Sequence, residues 1–259
     1  VEPSYYADVE FEVPPEIEKA YGGVNELVSK IQTELQALCY QQFKATEQRQ
    51  IVERISKERI DLRWYDGKPS VTSIIGWDAD FHISPEELRE YASHGTLYHK
   101  QVEEYIKTGE WKDVEKIDGT WADLVIVKKG KLALPVNDWD FPAFLKKYPI
   151  TEMKVGSPVI SEKHFYAGLP DIQECVFDGK RSLADVKRTP DKFKNFKQIA
   201  AYIMAAEEMG LAPYEQMIII PSTSKTEQGF SKPIVSTEIS QFKAAFLQDR
   251  ENFRKRFGV

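Results

Sequence analysis

FYAGLPD at 165–171, followed by DGKRSLADVKR at 178–188, is the stretch on which the fold and the chemistry turn. An Asp closes one predicted strand, 164–172, and Asp-x-Lys closes the next, 181–187. Side chains alternate along a strand, so Asp185 and Lys187 face one way and Val186 points back into the core. A tight hairpin through Phe177-Asp178-Gly179-Lys180 would set Asp171 beside Asp185. The two carboxylates would then converge on one hard cation, which prefers oxygen ligands. The Val186 carbonyl offers a third oxygen, and Lys187 would stand beside the metal-bound water. Asp and Lys two apart on a strand is also a common solvated pattern, so the pair needs support from its surroundings.

Those surroundings read as alternating elements. A short helix is expected near 141–148, then a strand over about 151–160, then the two strands above. A helix follows from Lys192 to Met209, ending at Gly210 as a C-cap, then a strand at 216–221 and an amphipathic helix at 239–257. This αβββαβ order predicts an α/β core, a mixed sheet with helices on both faces. Upstream, Ser84-Pro85-Glu86-Glu87 sets an N-cap Ser, a Pro at the first helical position and a Glu three residues after the cap. That helix is expected to reach about 108, with a break near Gly95. Leu27, Ile31, Leu35 and Leu38 at helical spacing predict a helix over 24–58, and Ile60–Tyr65 reads as a strand before the Asp66-Gly67 turn. Residues 109–139, with Trp111, Trp121 and Trp139 scattered among charges, read as an insertion. The expected organisation is an acidic leader with a helical arm at 1–60 and one domain at 61–259.

Composition narrows the classes. At 42% hydrophobic and 29% charged, the chain has an ordinary globular make-up. Its apolar runs are strand-sized, which predicts no membrane partner. It begins on Val1, which implies a processed chain or a fragment, and nothing at that end resembles a secretion signal. A cytoplasmic location is the expectation. Cys39 and Cys175 are two where an iron–sulfur cluster usually takes four ligands, so no cluster is expected and both read as buried thiols. The net charge of −6 disfavours a nonspecific nucleic-acid coat. Its distribution points elsewhere: residues 180–197 hold seven Lys or Arg against two Asp, beside the candidate metal site. Arg188, Lys192, Lys194 and Lys197 there would contact a phosphate backbone without reading sequence.

Six motifs stand in order along residues 69–257. They are PSVTSII (69–75), GTLYHKQVEEYI (95–106), TEMKV (151–155), YAGLPD, LADVK and QIAAY (198–202). Together they resemble the PD-(D/E)XK nuclease superfamily, in its RecB-like exonuclease branch, which includes phage-encoded nucleases and mitochondrial genome-maintenance exonucleases. The resemblance implies a restriction-endonuclease-like core with an N-terminal helical extension. It makes His99 a metal ligand and Glu152 an active-site acid, although Glu162 competes for that role by standing nearer Asp171 in sequence. It aligns YAGLPD with Gly-x-x-Asp, LADVK with (D/E)xK, and Gln198 with Tyr202 as a Gln-x-x-x-Tyr pair. That pair lies one helical turn apart, where it would hold the substrate phosphate or brace Lys187; a plain core role for Tyr202 stays open. His82, His94 and His164 have no such context and read as structural.

The implied activity is metal-dependent hydrolysis of DNA phosphodiester bonds, with Mg²⁺ or Mn²⁺ as cofactor. An imidazole among the ligands suits Mn²⁺. With no recognition helix or zinc module in sight, an end-dependent exonuclease leaning to single strands is favoured for recombination, repair or phage DNA processing, in the host cytoplasm if phage-encoded. Trp77, Tyr98 and Tyr105 are candidates for stacking unpaired bases, with core packing as the alternative. A structure-specific or flap endonuclease would use the same chemistry. A scaffold acting through residues 24–58, by self-association or with a protein partner, is the non-enzyme alternative.

Overall fold

In a computed structural model the described residues are 24–58, 62–65, 67–78, 85–112, 126–128, 131–133, 139–211, 213–222 and 230–259. The acidic leader, His82, Ser84, Trp121, most of 109–139 and the His94 side chain lie outside this description. The chain divides into two compact units, Val1–Arg54 and Ile55–Val259. The break between the units falls within the sequence of helix α1 (Val24–Glu58).

The second unit continues with β1 (Trp64–Tyr65), β2 (Lys68–Pro69), α2 (Val71–Gly76), α3 (Pro85–Thr108), β3 (Ile126–Lys128), β4 (Lys131–Ala133) and α4 (Phe141–Lys147). Then come β5 (Thr151–Val155), β6 (Val159–Ser161), β7 (Tyr166–Gly168), β8 (Ile172–Phe177) and β9 (Lys180–Lys187). α5 (Lys192–Glu208), β10 (Gln216–Pro221), β11 (Ile234–Ser236) and α6 (Ile239–Phe257) complete it. The main sheet has five strands in the order β11-β10-β9-β8-β5. β9 and β10 are parallel and the other neighbours antiparallel, so the sheet is mixed. A parallel pair needs a crossover, and α5 supplies it.

Sequence explains much of this. Asp178 and Gly179 both take positive φ, 51° and 72°, as a tight two-residue hairpin turn requires. Phe177 pairs with Lys180 across it. β10 is buried at every position because, as an inner parallel strand, it is covered on both faces. Under α3 and α4, Tyr98, Val102, Phe141 and Phe144 pack on Ile172, Cys175, Ala184, Val186, Ile218 and Ile220. α5 packs against β9, β10 and α6; its buried Ala200, Ala201, Ala205 and Ala206 let it lie close. Gly210 ends it with φ 79°, where a side chain would be strained.

Several expectations need correction. The strand expected over 151–160 is two, β5 and β6, parted by Gly156-Ser157-Pro158, and β6 pairs with β7 in a separate hairpin. The strand expected over 164–172 stops at Gly168, because Pro170 has no N–H for a ladder; Asp171 precedes β8 rather than closing a strand. β8 and β11 have no counterpart among the expected strands. α3 runs unbroken through Gly95. The ends of the expected insertion join the core: Trp139 is buried, and Trp111 meets it at 6.4 Å and Phe141 at 6.3 Å between ring centroids.

Cys39 is exposed on α1, against expectation, whereas Cys175 is buried in β8. Burial pushes the Cys175 thiol up to about 12, and the thiolate is the reactive form. A thiol reagent is therefore expected to label one cysteine, Cys39, at once in the native protein. Cys175 should react only with unfolding, as peptide mass mapping would reveal; rapid double labelling would contradict the described core.

Candidate active site

The C-terminal end of β9 and the start of β8 form the site. Ile172 pairs with Ala184, so the residues just beyond, Asp171 and Asp185, become neighbours. The Val186 N–H donates to Asp171 Oδ2 at 2.7 Å. The Val186 carbonyl oxygen stands 3.3 Å from His99 Nε2 of α3. His99 Nε2 also stands 3.5 Å from Asp171 Oδ2. Val186 packs in the core, leaving Asp185 and Lys187 on the opposite face, with Lys187 Nζ 2.5 Å from Asp185 Oδ2. One imidazole, two carboxylates, one ammonium and one peptide group thus meet; the alternation of β9 accounts for the shared face of Asp185 and Lys187 alone.

Electrostatics follow from burial. Desolvation first, then the like charge of Asp185, lifts the Asp171 carboxyl well above the usual carboxylate range; Lys187 and the Val186 N–H pull the other way. Burial alone would lower Lys187, but Asp185 and Asp171 outweigh it and hold the ammonium above its ordinary value. Lys187 is therefore a cation here and not a free base. Burial holds His99 below its ordinary value against the pull of Asp185, and Lys187 and Arg63 add to the lowering. The imidazole is neutral at pH 7, the form that binds metals.

A carboxyl whose pKa is raised by folding stabilises the fold below its unfolded pKa and loses that contribution as pH rises toward the folded value. The metal-free protein is thus expected to lose stability from about pH 4 upward through Asp171. Asp171→Asn should flatten that slope and raise the melting temperature at pH 7. Thermal melts across pH check this, and an Asn variant with an undiminished slope would place the titration elsewhere.

Two glycines allow the convergence. A Cβ on Gly168 would sit 2.3 Å from the Tyr202 ring, so the Gly of Gly-x-x-Asp lets that ring lie against the chain. A Cβ on Gly156 would sit 1.6 Å from the Pro170 carbonyl oxygen, and Gly156 N–H donates to the Asp171 carbonyl at 3.1 Å. Gly156 was not singled out from sequence, because only the contact between two distant segments reveals its need. Buried Gln198 donates to the Tyr202 hydroxyl at 2.7 Å. Burial first, and then the charges of Asp185 and Asp171, raises that phenol well above its usual value. The Gln-x-x-x-Tyr pair is therefore buried, with the Tyr202 phenol within reach of both carboxylate charges.

Other expected residues are not brought in. Glu152 is exposed at an irregularity of β5 with φ 52°. It lies near the Thr151–Val176 end of the β5–β8 pairing, whereas Val155 pairs with Ile172 beside Asp171, so it stands roughly 10 Å along the strand from the site. Glu162 is held by Lys68 at 3.0 Å. Lys197 pairs with Asp249 of α6, while Arg188, Lys192 and Lys194 are exposed on the stretch leaving β9. Tyr98 and Tyr105 belong to the aromatic core and Trp77 packs edge-on against Phe257 at 5.7 Å. His164 is structural, its N–H donating to Ser161 Oγ at 3.0 Å. Arg63 is an unforeseen contributor: its charge reaches His99, and its backbone is tied to Ser70 and Ser73. A lone Arg beside a two-residue strand carries no sequence signal.

Among the described residues no group of three or more His, Cys, Asp and Glu is already arranged as a metal cluster. Asp171 is turned to Val186 and Asp185 to Lys187. Asp185 Oδ2 is buried, and its charge is met by the Lys187 ammonium at 2.5 Å. A buried carboxylate beside a second acid, a carbonyl and a neutral imidazole is a donor set that fits a small divalent cation. No family model matches this chain, and no curated protein matches it. No helix among the described residues is long and apolar enough to cross a membrane.

Proposed function

We propose that this protein hydrolyses DNA phosphodiester bonds with a divalent cation, on a restriction-endonuclease-like core, as an end-dependent exonuclease. The convergence of His99, Asp171, Asp185 and Lys187 around the Val186 peptide carries the reading. His99, Asp171, Asp185 and the Val186 carbonyl would hold Mg²⁺ or Mn²⁺. When bound, the cation supplies Lewis-acid polarisation of a phosphoryl oxygen and a more acidic water.

The remaining work falls to the chain. Lys187, held protonated by the two acids, stabilises the negative charge that grows on phosphate in the transition state. Gln198 and Tyr202 brace the carboxylates from behind and keep water off that side. Arg63 sets a further positive charge near His99, and exposed Arg188, Lys192 and Lys194 supply nonspecific phosphate contacts. Glu152 takes no part in this scheme.

The test uses end-labelled single-stranded, linear duplex and covalently closed circular DNA, each with Mg²⁺, Mn²⁺ or EDTA. Linear substrates are expected to be digested, and EDTA to stop it. Cutting of closed circles would move the assignment to an endonuclease of the same fold. Binding without cleavage under either metal would favour a scaffold.

A further inference from the structure

We propose that this chain forms a parallel, in-register dimer through α1. Ile31, Leu35, Leu38, Gln42, Ala45 and Arg49 follow one another at spacings of four and three residues, and the sequence carries that spacing back to Val28 and Val24. This is heptad spacing, with apolar Leu35 at a and Ile31, Leu38 and Ala45 at d, and polar Gln42 and Arg49 at the next two a positions. Leu35 is 49% exposed and Leu38 58%, the largest apolar side chains of the seam turned to water.

Three features select a second copy as the occupant. Between parallel copies each g position faces the e position of the next heptad: Glu34 meets Cys39, and Gln48 meets Glu53. No like charges oppose one another there. In-register pairing also sets Gln42 against Gln42, an amide that both donates and accepts, while Ile31, Leu35 and Leu38 meet their own kind. Finally, Leu38, Gln42, Ala45, Thr46 and Arg49 line a shallow groove. Within it the a, d, e, a set Gln42, Ala45, Thr46 and Arg49 frames the hole that accepts a d-position side chain, and small Ala45 lets the backbones approach. The Arg49 layer would repel itself, but each guanidinium has Glu53 of its own helix at 3.5 Å.

Sedimentation equilibrium of the full chain over a concentration series tests this. The expected mass is twice 29.8 kDa, falling to the single-chain value in Leu35→Glu/Leu38→Glu with an unchanged far-UV spectrum, since both positions are exposed. In a Cys39→Ser background, Ala45→Cys should form a disulfide-linked dimer on mild oxidation, because parallel register brings the two d positions together. A wild type that stays single at every concentration, or a double variant that stays paired, overturns the dimer. A paired wild type whose Ala45→Cys variant fails to cross-link overturns the parallel register. None of these readouts depends on catalysis, so the dimer and the nuclease reading fail separately.

Discussion

Asp185→Asn is expected to lower metal-dependent cleavage by at least about 10²-fold while leaving the fold intact. On the proposed reading the substitution removes one of the two carboxylates that would hold the cation, and it keeps the shape of the side chain. Stability should hold because Lys187 then faces Asp171 alone, one cation against one anion. Asp171 also loses the like charge that lifts its carboxyl. Lys187→Met should behave differently. It leaves two neighbouring carboxylates without their ammonium, and breaking a buried pair by removing one partner costs roughly 3 kcal/mol or more. Divalent cations should then raise the melting temperature of Lys187→Met more than that of the wild type. Single-turnover cleavage with matched thermal melts separates the two variants. Full cleavage by Asp185→Asn would remove this carboxylate from the chemistry.

Gly156→Ala is expected to cost about 3 kcal/mol, at the upper end for overpacking, and to cut cleavage by about 10²-fold. The new Cβ would stand 1.6 Å from the Pro170 oxygen and 2.7 Å from its carbonyl carbon. Both atoms are backbone, so no rotamer change can relieve the clash. The chain must move, and what moves is the Pro170–Asp171 segment that presents the carboxylate. A displacement near 1 Å at a reacting group is enough for a loss of that size. Gly179→Ala is the control. Its φ of 72° strains an alanine, but nothing lies within 4 Å of the added carbon, so it should cost about 1 kcal/mol and spare activity. Urea denaturation with parallel assays reads both variants, and equal effects from the two would dismiss the clash as the cause.

Elements whose signals lie within a few neighbouring residues were legible before any coordinates. The helix at Lys192 begins where Asp191 accepts from the Lys194 N–H at 3.0 Å, and β10 and α6 begin and end where their apolar patterns do. The elements misread were those decided by pairing. Residues 151–160 and 164–172 are apolar enough for continuous strands, yet Gly156 and Pro170 interrupt them to bring Asp171 into place. Glu152 failed for the same reason, since its distance from the site depends on the β5–β8 register and not on its motif.

The sequence by itself determined that Asp185 and Lys187 share a face and that Asp178-Gly179 turns the chain. Both follow from the two-residue period of a strand and the φ values a short turn demands. Only the tertiary structure decided that His99, from a helix 87 residues before Val186, reaches that peptide, that Arg63 adds its charge, and that Lys197 is drawn off to Asp249. These depend on which faces pack together, a long-range balance of burial and charge that no local periodicity encodes.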